Sequence, residues 1–420
     1  MQRQLCKTSF HPKTRVIQRC RTHPESTIVA LNLFFSQSVT KSNSMKILAI
    51  EPYYGGSHRA FLDGWIAQSR HAWTVESLPA HHWKWRMRHA AATFAARVAK
   101  RSQQGETWDI LFCSDMLNLA EFLGLTRRHL HGCPAVSYFH ENQLTYPTRV
   151  DQERDFHYAM TNITSAVVAD QVWFNSAFHQ KEFLTAIPIF LRRMPDHRLL
   201  DQTKNIEFKC QVHPPGIAPG SARDLRSPGP LRILWAARWE HDKNPAGFFE
   251  ALDLLQKQGS TFRLNVIGET FRNIPDVFHQ ARIQFAEHID AWGYLESSED
   301  YLHALKSSDV VVSTADHEFF GIAIIEAISH GAFPLLPQRL AYPEILNLKT
   351  DLSHDIFFYD GTPSGLAKRL ATFAAQANHL PTLTELAEPA QNMVQRFYWR
   401  DLAASLDDAI EAAAVCHNTL

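Results

Sequence analysis

This 420-residue chain contains no apolar stretch approaching the roughly 20 residues that span a bilayer; the longest candidate near its start, Ile28 to Phe35, is interrupted by Asn32. Its six cysteines (Cys6, Cys20, Cys113, Cys133, Cys210 and Cys416) include no Cys-x-x-Cys pair. That argues against a disulfide framework and a structural zinc site, and for a reducing cytosol. His140-Glu141 opens like a zinc-protease motif, but Leu144 stands where the second histidine belongs. The formal net charge of −1 excludes a globally basic nucleic-acid binder, so any such role falls to a local patch. No short-period repeat is present. What remains, 45% hydrophobic and 20% charged residues, describes an ordinary soluble globular protein, long enough for about two to three domains.

Residues 1–44 differ from the rest, carrying Arg3, Lys7, Lys13, Arg15, Arg19, Arg21 and Lys41 against the single acid Glu25. The segment lacks the clean amphipathic pattern of a transit peptide, and Met45 directly precedes a strong strand; a disordered extension or an upstream start is expected. From Met45 the chain alternates strand, polar turn and helix. The run 46–50 ends in Glu51-Pro52-Tyr53-Tyr54-Gly55-Gly56-Ser57-His58 and leads into a helical stretch over 59–69, the first unit of a doubly wound domain. Further strand runs are 109–113, 135–139 and 171–174. A Pro/Gly/Ser-rich stretch over 214–230 reads as a linker. The alternation resumes at 231–236, 263–268, 309–312 and 332–336, and 391–414 reads as an amphipathic helix after the breaker Pro389. The expected organisation is therefore a first α/β domain over 45–213, a linker over 214–230, a second α/β domain over 231–390 and a helical segment over 391–420. Two such domains in succession imply a cleft between them.

The strand ends carry the chemistry. Glu318 and Glu326 stand around seven residues at the front of an apolar helix that Gly331 stops. With Glu318 in the loop and Glu326 two turns into the helix, the span is roughly 12 Å, too long for a shared proton and suited to an extended ligand such as a sugar nucleotide. Two solvated acids flanking a core helix fit the same spacing. Strand 231–236 runs into Arg238-Trp239-Glu240-His241-Asp242-Lys243, just before a helix N-terminus. That guanidinium and ammonium suit a diphosphate, or else pair with Glu240 and Asp242 at the surface. Gly268-Glu269 ends the next strand, permitting either a close ligand or a simple turn. In the first domain, His140-Glu141-Asn142-Gln143 sets four polar side chains directly after a buried strand, costly unless they meet a ligand or one another.

Taken in order, Arg238 and Lys243, Gly268-Glu269, and the Glu318-x7-Glu326 motif with Gly321 inside it resemble the retaining glycosyltransferases of family 4. That family has the GT-B fold, two doubly wound Rossmann-like α/β domains facing an interdomain cleft, and the resemblance runs from Met45 to the C-terminal helix. It implies that Glu318 contacts the donor sugar and Glu326 the nucleotide ribose. It implies further that Arg238 and Lys243 hold the diphosphate with Gly321, Ile322 and Ala323, that His140 lies beside the sugar, and that Gly55, Gly56, Gly268 and Glu269 belong to the donor site. No carboxylate cluster with metal spacing accompanies these residues, so neither a metal nor another cofactor is expected.

The runs 51–58 and 139–147 are similar to the tRNA-queuosine α-mannosyltransferase branch, which moves mannose from GDP-mannose to the queuosine of tRNA-Asp. The resemblance thus implies a sugar nucleotide and a tRNA as partners. Residues 81–89 (His-His-Trp-Lys-Trp-Arg-Met-Arg-His) offer a basic, aromatic surface, with Arg97, Lys100 and Arg101 beyond and no acid between Ala80 and Gly105. Lys84, Arg86 and Arg88 are expected on phosphates and Trp83 or Trp85 on an unpaired anticodon base, with Asn142 and Gln143 on the acceptor side. A solvated helix face with buried tryptophans, or a surface for acidic lipid, fits the same run. Two rival functions stand beside this one. A family 4 transferase with a lipid or polysaccharide acceptor is disfavoured by the lack of an amphipathic anchor. An idle RNA-binding protein on the same frame is disfavoured by the intact Arg238, Lys243, Glu318 and Glu326. The expected setting is the cytoplasm, without stable membrane insertion.

Overall fold

The computed structural model describes residues 44–147, 155–221, 229–270, 274–377 and 380–417. The expectation for residues 1–44 lies, Ser44 apart, outside them. Strands β1 (Lys46–Tyr54), β2 (Ala72–Pro79), β3 (Ile110–Ser114), β4 (Ala135–Phe139), β5 (Gln171–Phe174) and β6 (Cys210–Val212) form one parallel sheet in the order β2-β1-β3-β4-β5-β6. Strands β7 (Leu231–Ala236), β8 (Phe262–Ile267), β9 (Ile289–Gly293), β10 (Val310–Val312), β11 (Phe333–Pro337) and β12 (Phe358–Tyr359) form a second, in the order β12-β11-β10-β7-β8-β9. Every residue of β3, β4, β5, β10 and β11 is buried, because helices cover both faces of each sheet. This is why those strands read as unbroken apolar runs in the sequence. The strands that the sequence conceals are β2, β6, β9 and β12, all in the outer parts of the sheets, where half-exposed faces and short length erase the pattern.

In each sheet the strand order reverses at one point, between β1 and β3 in the first and between β7 and β10 in the second. Crevices open beyond the carboxyl ends of parallel strands at such points. The chain passes between the sheets twice, side by side: the Ile217 N–H donates to the Phe397 carbonyl at 2.8 Å, and the Trp399 N–H to the Ile217 carbonyl at 3.1 Å.

Pro389 does not end a helix. It lies inside Leu380–Val394, which buries Leu383, Ala387, Ala390 and Val394 in the second core; that packing outweighs the one backbone bond a proline removes. The break comes at the 3₁₀ turn Gln395–Phe397, and the last helix, Trp399–His417, returns to the first sheet. There Trp399, Leu406 and Ile410 pack with Phe61 and Trp65. Buried Asp407 accepts hydrogen bonds at 2.8 Å from Trp65 Nε1, Ser69 Oγ and the Arg70 N–H.

Candidate active site

Between the carboxyl edges of the two sheets lies a cavity of about 450 Å³, lined from both halves of the chain. His140, Arg238, Lys243 and Glu318 all face it. Lys243 is placed by the 3₁₀ turn His241–Lys243, whose end is fixed by Asn244 capping the helix Pro245–Lys257. Its Nζ donates to the His317 carbonyl at 2.7 Å and pairs with Asp242 at 3.1 Å and Glu318 at 3.2 Å. Burial works against the charge on Lys243, but Glu318 and Asp242 outweigh it and raise its pKa. Burial likewise works against ionised Glu318, and Lys243 together with the Phe320 N–H overcomes it, so the carboxyl lies below its ordinary range. Both groups are charged at neutral pH.

Arg238 Nη2 donates to the Tyr146 hydroxyl at 2.9 Å, bridging the two halves, and lies 3.5 Å from Glu240. The pairings 238–240 and 243–242 that the sequence allowed at the surface do form, but inside the cleft. Gly321, at φ +90°, turns the chain into the helix Ile322–Ser329, which has no side-chain cap and no acid in its first turn. With Ile322 and Ala323 it lines the cavity, presenting a helix N-terminus suited to an anion. Gly55, Gly56 and Glu269 line it too.

Other expectations change. The helix begins only at Ile322, so Glu326 sits little more than one turn into it rather than two. Glu326 does not line the cavity; it accepts from the Tyr301 hydroxyl at 2.6 Å, and burial raises its pKa despite that bond. Gly268 is not at the cavity either. At φ +152° it brings β8 so close to β7 that a Cβ there would lie 1.8 Å from the Ala237 carbonyl oxygen. Asn142 is fully buried and builds its own turn, its Oδ1 accepting from the N–H groups of Leu144 and Thr145 at 3.0 Å. Gln143 does reach the cavity and donates to Glu141 at 3.1 Å, so the polar residues after β4 meet one another.

The basic run is divided by tertiary contacts. Lys84, Trp85 and Arg88 are exposed on the helix Trp83–Gln103, with Trp85 62% exposed, and neighbouring Trp83 lines the cavity. Arg88 lies 4.8 Å over the Tyr158 ring. Arg86, expected on phosphate, is buried instead. It donates to the Pro79 carbonyl at 3.2 Å and lies 3.0 Å from His89 Nε2 and 3.1 Å from His81 Nδ1. Burial and then Arg86 itself hold the His89 pKa down, which leaves that ring neutral to accept. Arg97 and Arg101 are taken by Glu76, at 3.2 and 2.7 Å.

Glu51 and His58, in the run 51–58, carry no role that the sequence alone reveals. Glu51 is buried within β1, and its Oε2 lies 3.1 Å from His58 Nδ1. The His58 ring stacks on His140 with centroids 3.9 Å apart and 32° between planes. Among the described residues these three are the group able to hold a metal, their potential ligand atoms lying within 4.8 Å of one another. Two imidazoles chelating one ion aim their in-plane lone pairs at it, whereas these rings lie face to face and His58 Nδ1 is turned to a carboxylate. The arrangement fits an ion pair beside a neutral ring.

Cleft, sheets and charge pairs define the class: a GT-B glycosyltransferase frame. Solved structures with that frame superpose on the chain. The Anabaena protein HepE, crystallised with UDP and glucose, gives a TM-score of 0.60 at 16% identity over 88% of this chain and 98% of that one. Sucrose-phosphate synthase of Thermosynechococcus elongatus gives 0.60 at 14% identity, over 88% and 100%. The family models matched are tRNA-queuosine alpha-mannosyltransferase N-terminal, over residues 46–217, and glycosyl transferases group 1, over 222–390. A Drosophila melanogaster tRNA-queuosine alpha-mannosyltransferase is 38% identical over 312 residues, 71% of this chain and 81% of that protein. The chain belongs to the tRNA-queuosine alpha-mannosyltransferase family. A more distant relative, the GDP-mannose:cellobiosyl-diphosphopolyprenol alpha-mannosyltransferase of Xanthomonas campestris, is 26% identical over 205 residues, 46% of this chain and 50% of that protein. No described helix is long and apolar enough to cross a membrane.

Proposed function

We propose that this chain transfers mannose from GDP-mannose to queuosine at the anticodon wobble position of tRNA-Asp, in the cytoplasm, retaining the anomeric configuration and using no metal. The likeness to the Drosophila enzyme carries the reading. The cleft supports it, because a buried Lys243–Glu318 pair and an open helix N-terminus each carry a desolvation cost that a charged ligand offsets. The glycosidic bond breaks through an oxocarbenium-like transition state, leaving negative charge on the diphosphate. Arg238, Lys243 and the amides at 322–323 are placed to receive that charge, the part a divalent ion plays elsewhere. Glu318 orients the sugar hydroxyls, and His140, which burial and then its neighbours His58 and His179 hold well below the ordinary histidine range, meets the sugar as a neutral ring.

The acceptor side rests on Lys84, Trp85 and Arg88 beside the cleft mouth. Trp85→Ala is expected to weaken tRNA binding about tenfold by removing a stacking surface while leaving the melting temperature unchanged. Arg86→Ala is expected to do the reverse, lowering the melting temperature by roughly 5 °C with little change in the salt dependence of tRNA binding. Filter binding and thermal melts of the two variants separate these roles.

The deciding experiment incubates the protein with GDP-[¹⁴C]mannose and tRNA-Asp bearing or lacking queuosine. Label confined to the queuosine-bearing RNA is expected. Equal labelling of both RNAs would sink the queuosine assignment, label on other queuosine-bearing tRNAs would widen the acceptor, and label only in a lipid extract would favour a lipid acceptor.

A further inference from the structure

The corner of the cleft formed by the first domain carries charge that the donor-site residues above leave unexplained. The helix Gly56–Gln68 starts there, with Gly55 as an N-cap that offers no side-chain bond and no acid in its first turn. Residues 55–58 all line the cavity, so the free N–H groups of this helix face it. In its first turn stands His58, 5% exposed, with Nδ1 committed to Glu51 and Nε2, which has no hydrogen-bond partner among the described residues, on the cavity side.

Burial opposes charge on His58, but Glu51 at 3.1 Å, with Asp115 and Glu141 behind it, outweighs that penalty and lifts the imidazole to about 9. Glu51 is itself anchored, its Oε1 accepting from the Tyr53 N–H at 2.7 Å and the Ser114 hydroxyl at 3.0 Å. The groups facing His58 are thus Glu51 and Tyr53 from β1, Asp115 from the loop after β3, and His140 and Glu141 from the loop after β4. Arg238 and Lys243 face the same cavity from the second domain.

We propose that His58, hydrogen-bonded to Glu51 at the cleft, is a catalytic residue of the transfer, its Nε2–H donating to the leaving diphosphate from the first domain's side. The proposal rests on the donor reading above and extends it to a residue pair that reading does not use. The bond between the anomeric carbon and the β-phosphate oxygen breaks, and its electron pair stays on the phosphate. The acceptor oxygen forms the new bond and its proton passes to that phosphate. His58 keeps its proton throughout and supplies charge alone, which suits an ion pair rather than a general acid. Its cation also lies against the His140 ring, adding to the burial that keeps that ring neutral.

The test is GDP binding by calorimetry, with kcat measured in parallel, from pH 7 to 10. A raised pKa means that the charge is present below about pH 9 and lost above it. Wild-type affinity is therefore expected to hold to about pH 8 and to fall about tenfold beyond 9. In Glu51→Gln the fall should move to near neutral pH. His58→Gln should bind GDP about tenfold more weakly at pH 7, with kcat reduced as well. Its deficit against wild type should vanish above about pH 9, leaving only the change that titration of Asp115 and of the guanine imposes on both. Circular dichroism confirms folding, and if His58→Gln does not fold, the wild-type and Glu51→Gln profiles decide. Unchanged GDP affinity and kcat in folded His58→Gln, or identical profiles for wild type and Glu51→Gln, would overturn the proposal. A wild type that binds no nucleoside diphosphate overturns the donor reading and this one with it. One that binds GDP but labels no queuosine RNA overturns the acceptor alone.

Discussion

Glu318→Ala and Lys243→Ala are each expected to abolish transfer, with losses of about three orders of magnitude in kcat/KM measured with GDP-mannose and queuosine-bearing tRNA. The two reach that result by different routes. Glu318→Ala removes the carboxylate proposed to orient the sugar and frees the Phe319 and Phe320 N–H groups, which Glu318 Oε1 accepts at 3.1 and 3.4 Å. Lys243→Ala removes a cation proposed to meet the diphosphate and also strands Asp242 and Glu318, two carboxylates it neutralises within 3.2 Å. Losing one partner of a buried pair destabilises by roughly 3–5 kcal/mol, so Lys243→Ala should also melt earlier, whereas Glu318→Gln should stay near the wild-type melting temperature and still be inactive. Near-normal turnover in folded Glu318→Ala or Lys243→Ala would refute the donor-site map.

Gly268→Ala is expected to cut stability by about 3 kcal/mol or more and to lower the melting temperature by roughly 10 °C. The new methyl group would meet the Ala237 carbonyl oxygen at 1.8 Å, and φ +152° is a conformation that L-residues rarely adopt. Relief requires moving the end of β7 away from β8, and with it the loop that carries Arg238. Circular dichroism melts of the variant check this directly. A melting temperature within about 2 °C of wild type would mean that the strand ends yield easily, and that the glycine serves something other than their close approach.

Glu318, Lys243 and Gly268 differ in how much of their role is visible along the chain. Glu318 and Lys243, 75 residues apart, were both legible because each ends a buried strand run, and strand ends at a sheet reversal face the cleft. Gly268 was equally legible as a strand-ending glycine, but whether it approaches a ligand or another backbone depends on the neighbouring strand. Glu326 was placed by its spacing from Glu318 and by family resemblance, and its side chain instead meets Tyr301 on another helix. Glu51 and His58 passed without a role because neither is unusual in isolation; only their 3.1 Å approach, under the ring of His140, gives them one.

The sequence by itself determined two successive doubly wound α/β domains, the runs that become their buried strands and the residue types at the strand ends. Those features come from continuous apolar runs and turn residues, which act over short stretches of chain. Only the tertiary structure decided which charges remain available. Lys84 and Arg88 stay exposed, while Arg86 is claimed by His81, His89 and Pro79, and Arg97 and Arg101 by Glu76. A run with no acid within it looked uniformly free. Ion pairing and burial depend on distance in space: Arg101 is shared between Glu106, just past the run, and Glu76, 25 residues away on the adjoining strand β2, and only the fold brings the second of these within reach.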